Sequence, residues 1–574
     1  RGKSKIVNYA RRIIMATADL ILKNGKIFSV KDDNTIIRGE AVIIKDGKID
    51  NICGNDEALK YEGNNTEVID CGGNTILPGL CDAHCHPSIA AAVYAGCDLF
   101  GIYIQENETP DEVIDKYLAR LKDFVDSHPD NALIRGTGWV QGNFITDRKP
   151  ARQDLDRICS DRPVILESFC QHSLWVNTKA LEIAGIDKDT PDVYAGEIVR
   201  DEQGNPTGYF KEPEAMDLIK MNVPGYDFSV EEYKDAFLFY QSEFANKYGV
   251  TLVQDCMHSD NAREAYVQLA KEGKLTVRAR GVYMLEPGAF GEQLPQFINR
   301  KGSDDVGKDF RIDTIKIFAE GMFVLKEPFT EEFISENGMP KGYRGTPYWN
   351  DEDLGKSIED SMKAGFHIHA MGDASVHQAA KCIRAAQDNT GIKKRNVIAH
   401  LMLVDDESYE NMEKADIIAN CQPRWMVYDS DIAGMFPMIG EERSLKAYPL
   451  REFLDRKITV AFGTDFPVTP PPDTMHEVQC AMTRSVFPDA PDYEKFKGKI
   501  LGDEKPAELA EAIKSLSING AYQMNLEDIT GSIEVGKSAD LVILDSNLED
   551  APVDDIYSIA VEKTIFKGRV VYNR

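Results

Sequence analysis

At 574 residues the chain exceeds one ordinary core, and 43% hydrophobic with 28% charged side chains is the balance of a globular protein, not a disordered one. Acidic residues outnumber basic ones 95 to 66, and the resulting net charge of −29 argues against a nucleic-acid partner, since phosphate binding needs a basic face. No stretch approaches the run of about 18 apolar residues that a membrane-spanning helix requires, so no membrane is expected as a partner.

Arg1, Lys3, Lys5, Arg11 and Arg12 make the start basic, but only Ile-Ile-Met-Ala follows before polar residues return, which is no signal peptide. Met15 is an alternative start, with a leader (residues 1–14) before it. Eleven cysteines, an odd number without a Cys-x-x-Cys pair, describe no disulfide framework and fit reduced thiols in a cytoplasmic protein.

From residue 17 to 77 short β-type runs alternate with Asn-Gly, Asp-Asn and Asp-Gly turns: Asp19-Leu-Ile-Leu, Lys26-Ile-Phe-Ser-Val, Glu40-Ala-Val-Ile-Ile and Lys48-Ile-Asp-Asn-Ile. They predict a small antiparallel sheet. The same texture returns in Ala539-Asp-Leu-Val-Ile-Leu, Val561-Glu-Lys-Thr-Ile-Phe and Val570-Val-Tyr. Residues 17–77 and 530–574 are therefore expected to form one discontinuous β-sandwich domain.

Between them, over residues 78–529, apolar runs alternate with helical stretches such as Asn261 to Glu272, Asp353 to Ala364 and Ser375 to Gln387. Strands are predicted at Leu80 to His86, Val250 to Asp255, Val277 to Met284, Thr314 to Ala319, Phe366 to Ala370, Asn396 to Leu401, Ile417 to Cys421 and Thr459 to Asp465. Eight such repeats match an α/β fold, the closed (β/α)8 TIM barrel. The insertion after the first strand, about 88–249, is too long for a plain loop and reads as a cap over the barrel mouth, with strands at Ala132 to Trp139 and Val164 to Phe169 and a helix at Asp111 to Ser127. A second excursion, Gly321 to Asn350, also lines the entrance.

In such barrels the chemistry sits at the carboxyl ends of the strands, where His84, His86, His369, His400 and Asp465 all fall. Strand side chains alternate faces, so His84 and His86 aim both imidazoles one way, about 6.6 Å apart at the backbone, while Cys85 faces the opposite side and is packing. Imidazoles and a carboxylate suit zinc, with manganese, iron or nickel as alternatives. Lys316, inside the apolar strand Ile315-Lys316-Ile317-Phe318, must be paired, neutral or chemically modified. A salt bridge with Glu320 or Asp313 is the plain reading; as a carbamate the side chain would be an anionic bridge between two cations. His367 shares a face with His369 and is either a rival ligand or a layer beneath. His172 in the cap is a candidate catalytic or substrate-holding group, or an ordinary cap histidine. Trp139, Trp425 and Arg424 are candidate specificity surfaces, against packing as the ordinary role of a buried tryptophan. His128, His258, His377 and His476 read as structural.

Pro78-Gly79-Leu80-Cys81-Asp82-Ala83-His84-Cys85-His86, the Lys316 strand with Ala319-Glu320-Gly321, His369-Ala370-Met371-Gly372-Asp373, His400 and Gly463-Thr464-Asp465-Phe466-Pro467 together resemble the amidohydrolase superfamily. More narrowly they resemble amidohydrolase family 3, the branch that includes N-substituted formamide deformylases. The similarity runs from about Ala18 to Tyr572 and includes the cap segment His172-Ser-Leu-Trp-Val-Asn-Thr-Lys-Ala-Leu.

The resemblance implies that His84, His86 and Asp465 hold one metal and His369 and His400 a second, bridged by carboxylated Lys316, so one or two divalent ions, zinc first, are the expected cofactors. Glu320 stands where an aspartate is commoner in the branch. The implied reaction is hydrolysis of a non-peptide carbon–nitrogen bond, a linear amide first, by metal-activated hydroxide, with Asp465 as general acid and base. The expected partner is a small-molecule amide, and a homodimer is compatible with this reading. The alternative is a deaminase of the same superfamily acting on an amino-substituted ring, which typically carries a glutamate acid near the strand-five histidine; here Ala370-Met371-Gly372-Asp373 follows His369 instead.

Overall fold

The computed structural model describes residues 17–105, 107–144, 148–193, 196–300, 302, 304–321 and 323–574; residues 1–14 and Met15 lie outside the described residues. The centre is one sheet of eight strands: β1 (Leu80–Cys85), β2 (Val250–Asp255), β3 (Arg278–Met284), β4 (Phe310–Phe318), β5 (Gly365–Ala370), β6 (Val397–His400), β7 (Ile418–Cys421) and β8 (Val460–Phe462). They lie in sequence order and every hydrogen-bonded neighbour is parallel. The strands are near-continuous apolar runs because both faces are covered, as an all-parallel sheet requires. Helices such as Asp260–Lys271, Asp351–Asp360 and Asp406–Ala415 start where Ser259, Asn350 and Asp405 accept a first-turn N–H.

The last seam, β8 to β1, closes the barrel through loop and side-chain bonds. The Asp465 N–H donates to the His84 carbonyl at 2.7 Å, and the Asp82 carboxylate accepts from the Thr464 N–H at 2.9 Å and its hydroxyl at 2.6 Å. Gly463 is required there: a Cβ would lie 2.4 Å from the His84 nitrogen. β8 ends at Phe462, so Asp465, expected within that strand, stands three residues beyond it in the loop.

Strands from both ends of the chain pair with each other. One sheet runs Lys26–Ile27, Thr75–Pro78, Leu541–Leu544, Val561–Phe566, Arg569–Asn573; a second runs Lys48–Cys53, Ala41–Lys45, Leu20–Lys23, Glu67–Asp70. The strands expected to form one antiparallel sheet at the N-terminal end are thus divided among these two sheets and a two-stranded one, Ser29–Val30 with Ile36–Ile37, and Leu20–Lys23 pairs in parallel with Glu67–Asp70. The insertion after β1 holds a six-stranded mixed sheet and the helix Pro110–Ser127, which begins with a reciprocal Thr109/Glu112 cap and packs Tyr117 against Phe144 and Trp175. No described helix is long and apolar enough to cross a membrane, and all eleven cysteines are free thiols.

Candidate metal centre

His84 and His86 leave β1 on the same face, as strand alternation dictates, and meet Asp465 from the loop after β8. His86 Nε2 lies 2.9 Å from Asp465 Oδ1 and His84 Nε2 3.3 Å from the same oxygen. Ligand atoms of the three residues lie within 4.8 Å of one another. All three side chains are buried. Asp465 (φ 63°) and His400 (φ 80°) occupy the left-handed region, a strain that non-glycine residues retain chiefly where function over-determines it.

His400 closes β6 and joins the two halves of the cluster: its ring centroid is 4.8 Å from that of His84 and 4.5 Å from that of His369. Its Nδ1 lies 3.0 Å from Gln422 Oε1, which fixes the ring and leaves Nε2 for a ligand. Gln422 is in turn held by Asn420 at 2.9 Å, and the indole of Trp425 stacks on His400 at 5.3 Å.

His367 forms the layer beneath. Its Nε2 lies 2.7 Å from His84 Nδ1, so the face of His84 away from Asp465 is already engaged. Cys256, just past β2, approaches His367 at 3.8 Å, and His84, Cys256 and His367 form a second group close enough to share an ion. The strand-end rule would have found Cys256, which the motifs do not include. Cys85 faces outward, with the Tyr240 hydroxyl 3.8 Å from its sulfur.

Burial, reinforced by Lys316 among the neighbouring charges, drives the pKa of His84, His367 and His369 well below the usual imidazole value, and burial with the field of His84 does the same to His400. The rings are therefore neutral, the state that ligates metals. Burial alone would push Asp465 up, but the hydrogen bond from His86 and the fields of His400, His86 and Lys316 hold it below the ordinary carboxylate range. It is ionised.

Lys316 is fully buried, and its Nζ has no hydrogen-bond partner among the described residues. Burial lowers its pKa against the opposing fields of Cys256 and Asp465. The salt bridge to Glu320 does not form, because that carboxylate is spent elsewhere: it accepts from the Val324, Met371 and Gly372 N–H groups and the Ser375 hydroxyl, stapling the loops after β4 and β5. Asp313 also forms no ion pair with Lys316. His84 Nε2, His86 Nδ1, His369 Nδ1 and Lys316 Nζ are all buried without a hydrogen-bond partner. Such an orphaned set of imidazole nitrogens beside a carboxylate fits a divalent ion.

A family model described as "Amidohydrolase family" matches residues 67–572. The chain belongs to the amidohydrolase family. Among similar proteins, YtcJ of Bacillus subtilis (strain 168) is 27% identical over 96% of this chain and 99% of that protein. The N-substituted formamide deformylase of Arthrobacter pascens is 24% identical over 97% of this chain and 98% of that enzyme. Of solved structures, an uncharacterized metal-dependent hydrolase from Pyrococcus horikoshii OT3 shares the fold at a TM-score of 0.69 and 22% identity, over 96% of this chain and all of that one.

The other predicted site residues of this amidohydrolase are placed differently from one another. His172 stands at the cap's inner edge, with Nδ1 2.8 Å from Glu212 Oε2. Trp139 is no substrate surface: it is fully buried in the cap's own core against Trp175 and Tyr209, and its indole N–H donates to the Leu166 carbonyl at 3.0 Å. Arg424 donates to the Pro471 carbonyl, lies 3.2 Å from His476 Nδ1 and sits over the face of Phe487. Its neighbour Trp425 takes the place against the cluster. The short helical turn Pro423–Trp425 reverses which side chain faces inward, and strand-like alternation cannot foresee that.

Proposed function

We propose that this amidohydrolase is a metal-dependent hydrolase of a carbon–nitrogen bond in a small linear amide, with zinc held by His84, His86 and Asp465, a second ion by His369 and His400, and carboxylated Lys316 between them. The observation that carries this reading is the convergence of two buried imidazoles on one buried carboxylate, at 2.9 and 3.3 Å. A bound divalent ion supplies an acidified water and a polarised substrate carbonyl. Asp465 takes the proton of the attacking water and delivers it to the departing amine, which leaves poorly as an anion. His172 holds the substrate from the cap side. The deformylase relative supports an amide, and no glutamate stands in Ala370-Met371-Gly372-Asp373 after His369, where a deaminase reading looks for its acid.

Purified protein is assayed for bound metal and for turnover of N-formyl, N-acyl and cyclic amides before and after chelation, alongside Asp465→Asn. Turnover that disappears with the metal and with the substitution is expected. Chelated protein of unchanged activity, or an Asp465→Asn variant within about tenfold of the parent (roughly 1.4 kcal/mol of barrier), refutes it.

A further inference from the structure

Glu212 opens the helix Pro213–Lys220, yet its side chain does not cap that helix, and its backbone sits at φ 65°. The carboxylate instead reaches across the end of the cap sheet. Oε2 lies 2.8 Å from His172 Nδ1 and accepts the Tyr348 hydroxyl at 3.0 Å, while the Glu212 N–H donates to the His172 carbonyl at 2.9 Å. Tyr348 belongs to the excursion after β4; it is buried, and its N–H donates to the Ala319 carbonyl at 3.0 Å. The Tyr348 and Glu212 side chains close over Gly321, where a Cβ would lie 2.3 Å from the Tyr348 oxygen and 2.6 Å from Glu212 Oε2. The insertion and the barrel therefore meet at a polar contact, and a side chain at 321 would push the Tyr348 hydroxyl and the Glu212 carboxylate apart.

The His172 side chain is 25% exposed, and Nε2 has no hydrogen-bond partner among the described residues. Glu212 lies over Gly321, three residues past Phe318 at the end of β4, and the Phe318 ring centroid is 5.1 Å from that of His369, so the His172–Glu212 pair stands beside the metal cluster. A carboxylate only accepts, so Nδ1 must carry the hydrogen that faces it, and in the neutral ring Nε2 is then a lone-pair acceptor.

We propose that Glu212, braced by Tyr348, is a positioning residue that fixes the tautomer of His172, so that Nε2 accepts the N–H of the substrate amide and the enzyme prefers N-monosubstituted over N,N-disubstituted amides. This rests on the amide-hydrolase reading above. A tertiary amide has no N–H to offer and leaves Nε2 unpaired at the closed site. Glutamine at 212 can donate to Nδ1, which turns Nε2 into a donor and removes the match.

The test is the ratio of kcat/KM for an N-alkylformamide to that for its N,N-dialkyl counterpart, measured on metal-replete parent, Glu212→Gln, His172→Phe and the double variant. The ratio is expected to fall at least about fivefold in each single variant, the size of one neutral hydrogen bond, with no further fall in the double variant. Glu212→Asp restores part of it, and Tyr348→Phe, a substitution that keeps the packing, lowers it less. An unchanged ratio in Glu212→Gln, or losses that add in the double variant, overturns the proposal. A parent without metal-dependent amide turnover sinks the amide reading instead. The tautomer is then read by nitrogen NMR of ring-labelled protein: hydrogen on Nδ1, lost in Glu212→Gln, supports the dyad, and hydrogen on Nε2 alone overturns it.

Discussion

Substituting Gly463 by alanine perturbs the one seam of the barrel that both proposed ligand strands share. The added Cβ would stand 2.4 Å from the His84 nitrogen, 2.5 Å from its Cβ and 2.8 Å from its Cα, where ordinary contact begins at 3.4 Å. The obstacle is backbone and cannot rotate away, so the ends of β1 and β8 must part by about 1 Å. Overpacking of this kind costs about 1–3 kcal/mol of stability. The larger effect falls on chemistry, because His84 and Asp465 now approach to 3.3 Å across that seam, and a misplacement of about 1 Å costs on the order of 100-fold in rate. Metal stoichiometry by mass spectrometry, kcat/KM on an amide substrate and thermal unfolding are measured on Gly463→Ala and on Gly434→Ala, a helical glycine with nothing within 4 Å of its Cβ position. Gly434→Ala should be neutral or stabilising by up to about 1 kcal/mol. A Gly463→Ala protein that keeps its metal and turns over within about twofold of the parent shows that the seam does not set the site geometry.

Two further outcomes follow from buried groups. If Lys316 bridges as a carbamate, metal uptake by the chelated protein is stronger in bicarbonate than in carbon-dioxide-depleted buffer, and Lys316→Met abolishes the difference; uptake indifferent to bicarbonate excludes the bridge. Glu477 is fully buried, with Oε1 unpartnered among the described residues, and burial pushes its carboxyl up to about 8 from the ordinary 4.5. Its native state prefers the proton, so its contribution to stability is complete below pH 4.5 and is lost as pH rises through about 8. Glu477→Gln should therefore raise Tm relative to the parent at pH 9 and not at pH 5, and equal differences at both pH values would show that Glu477 does not titrate in this window.

The eight barrel strands were legible because each is an apolar run bounded by turn signals, and a sheet covered on both faces demands such runs. His84 and His86 were legible for a simpler reason, the two-residue repeat of a strand. The sequence could not show the supporting layer. Gln422 and Asp82 act through hydrogen bonds whose partners are 22 and 382 positions away, and Cys256 reaches the histidines only once β2 lies beside β1. Lys316 was recognisable as a charge in an apolar strand, but that Glu320 would be claimed by Val324, Met371, Gly372 and Ser375 depends on two loops meeting. Trp139 failed as a substrate surface because residue type states what a side chain can do and not which way its backbone turns it. Pairing direction was equally hidden: Glu67–Asp70 is too short for its pattern to reveal that it runs parallel to Leu20–Lys23.

The strand Thr75–Pro78, which leads directly into β1, is held on one side by Lys26–Ile27 and on the other by Leu541–Leu544, whose first residue lies about 460 positions later in the chain. On a ribosome adding about 5–20 residues each second, that edge waits tens of seconds for its neighbour. Throughout this interval the threshold of the barrel offers an unmet row of backbone donors and acceptors beside Ile76 and Leu77, apolar residues that are fully buried once the sheet is complete. The protein's vulnerable moment is therefore its birth, and its yield in a cell should depend on chaperone supply and translation speed more steeply than the stability of the finished molecule would suggest.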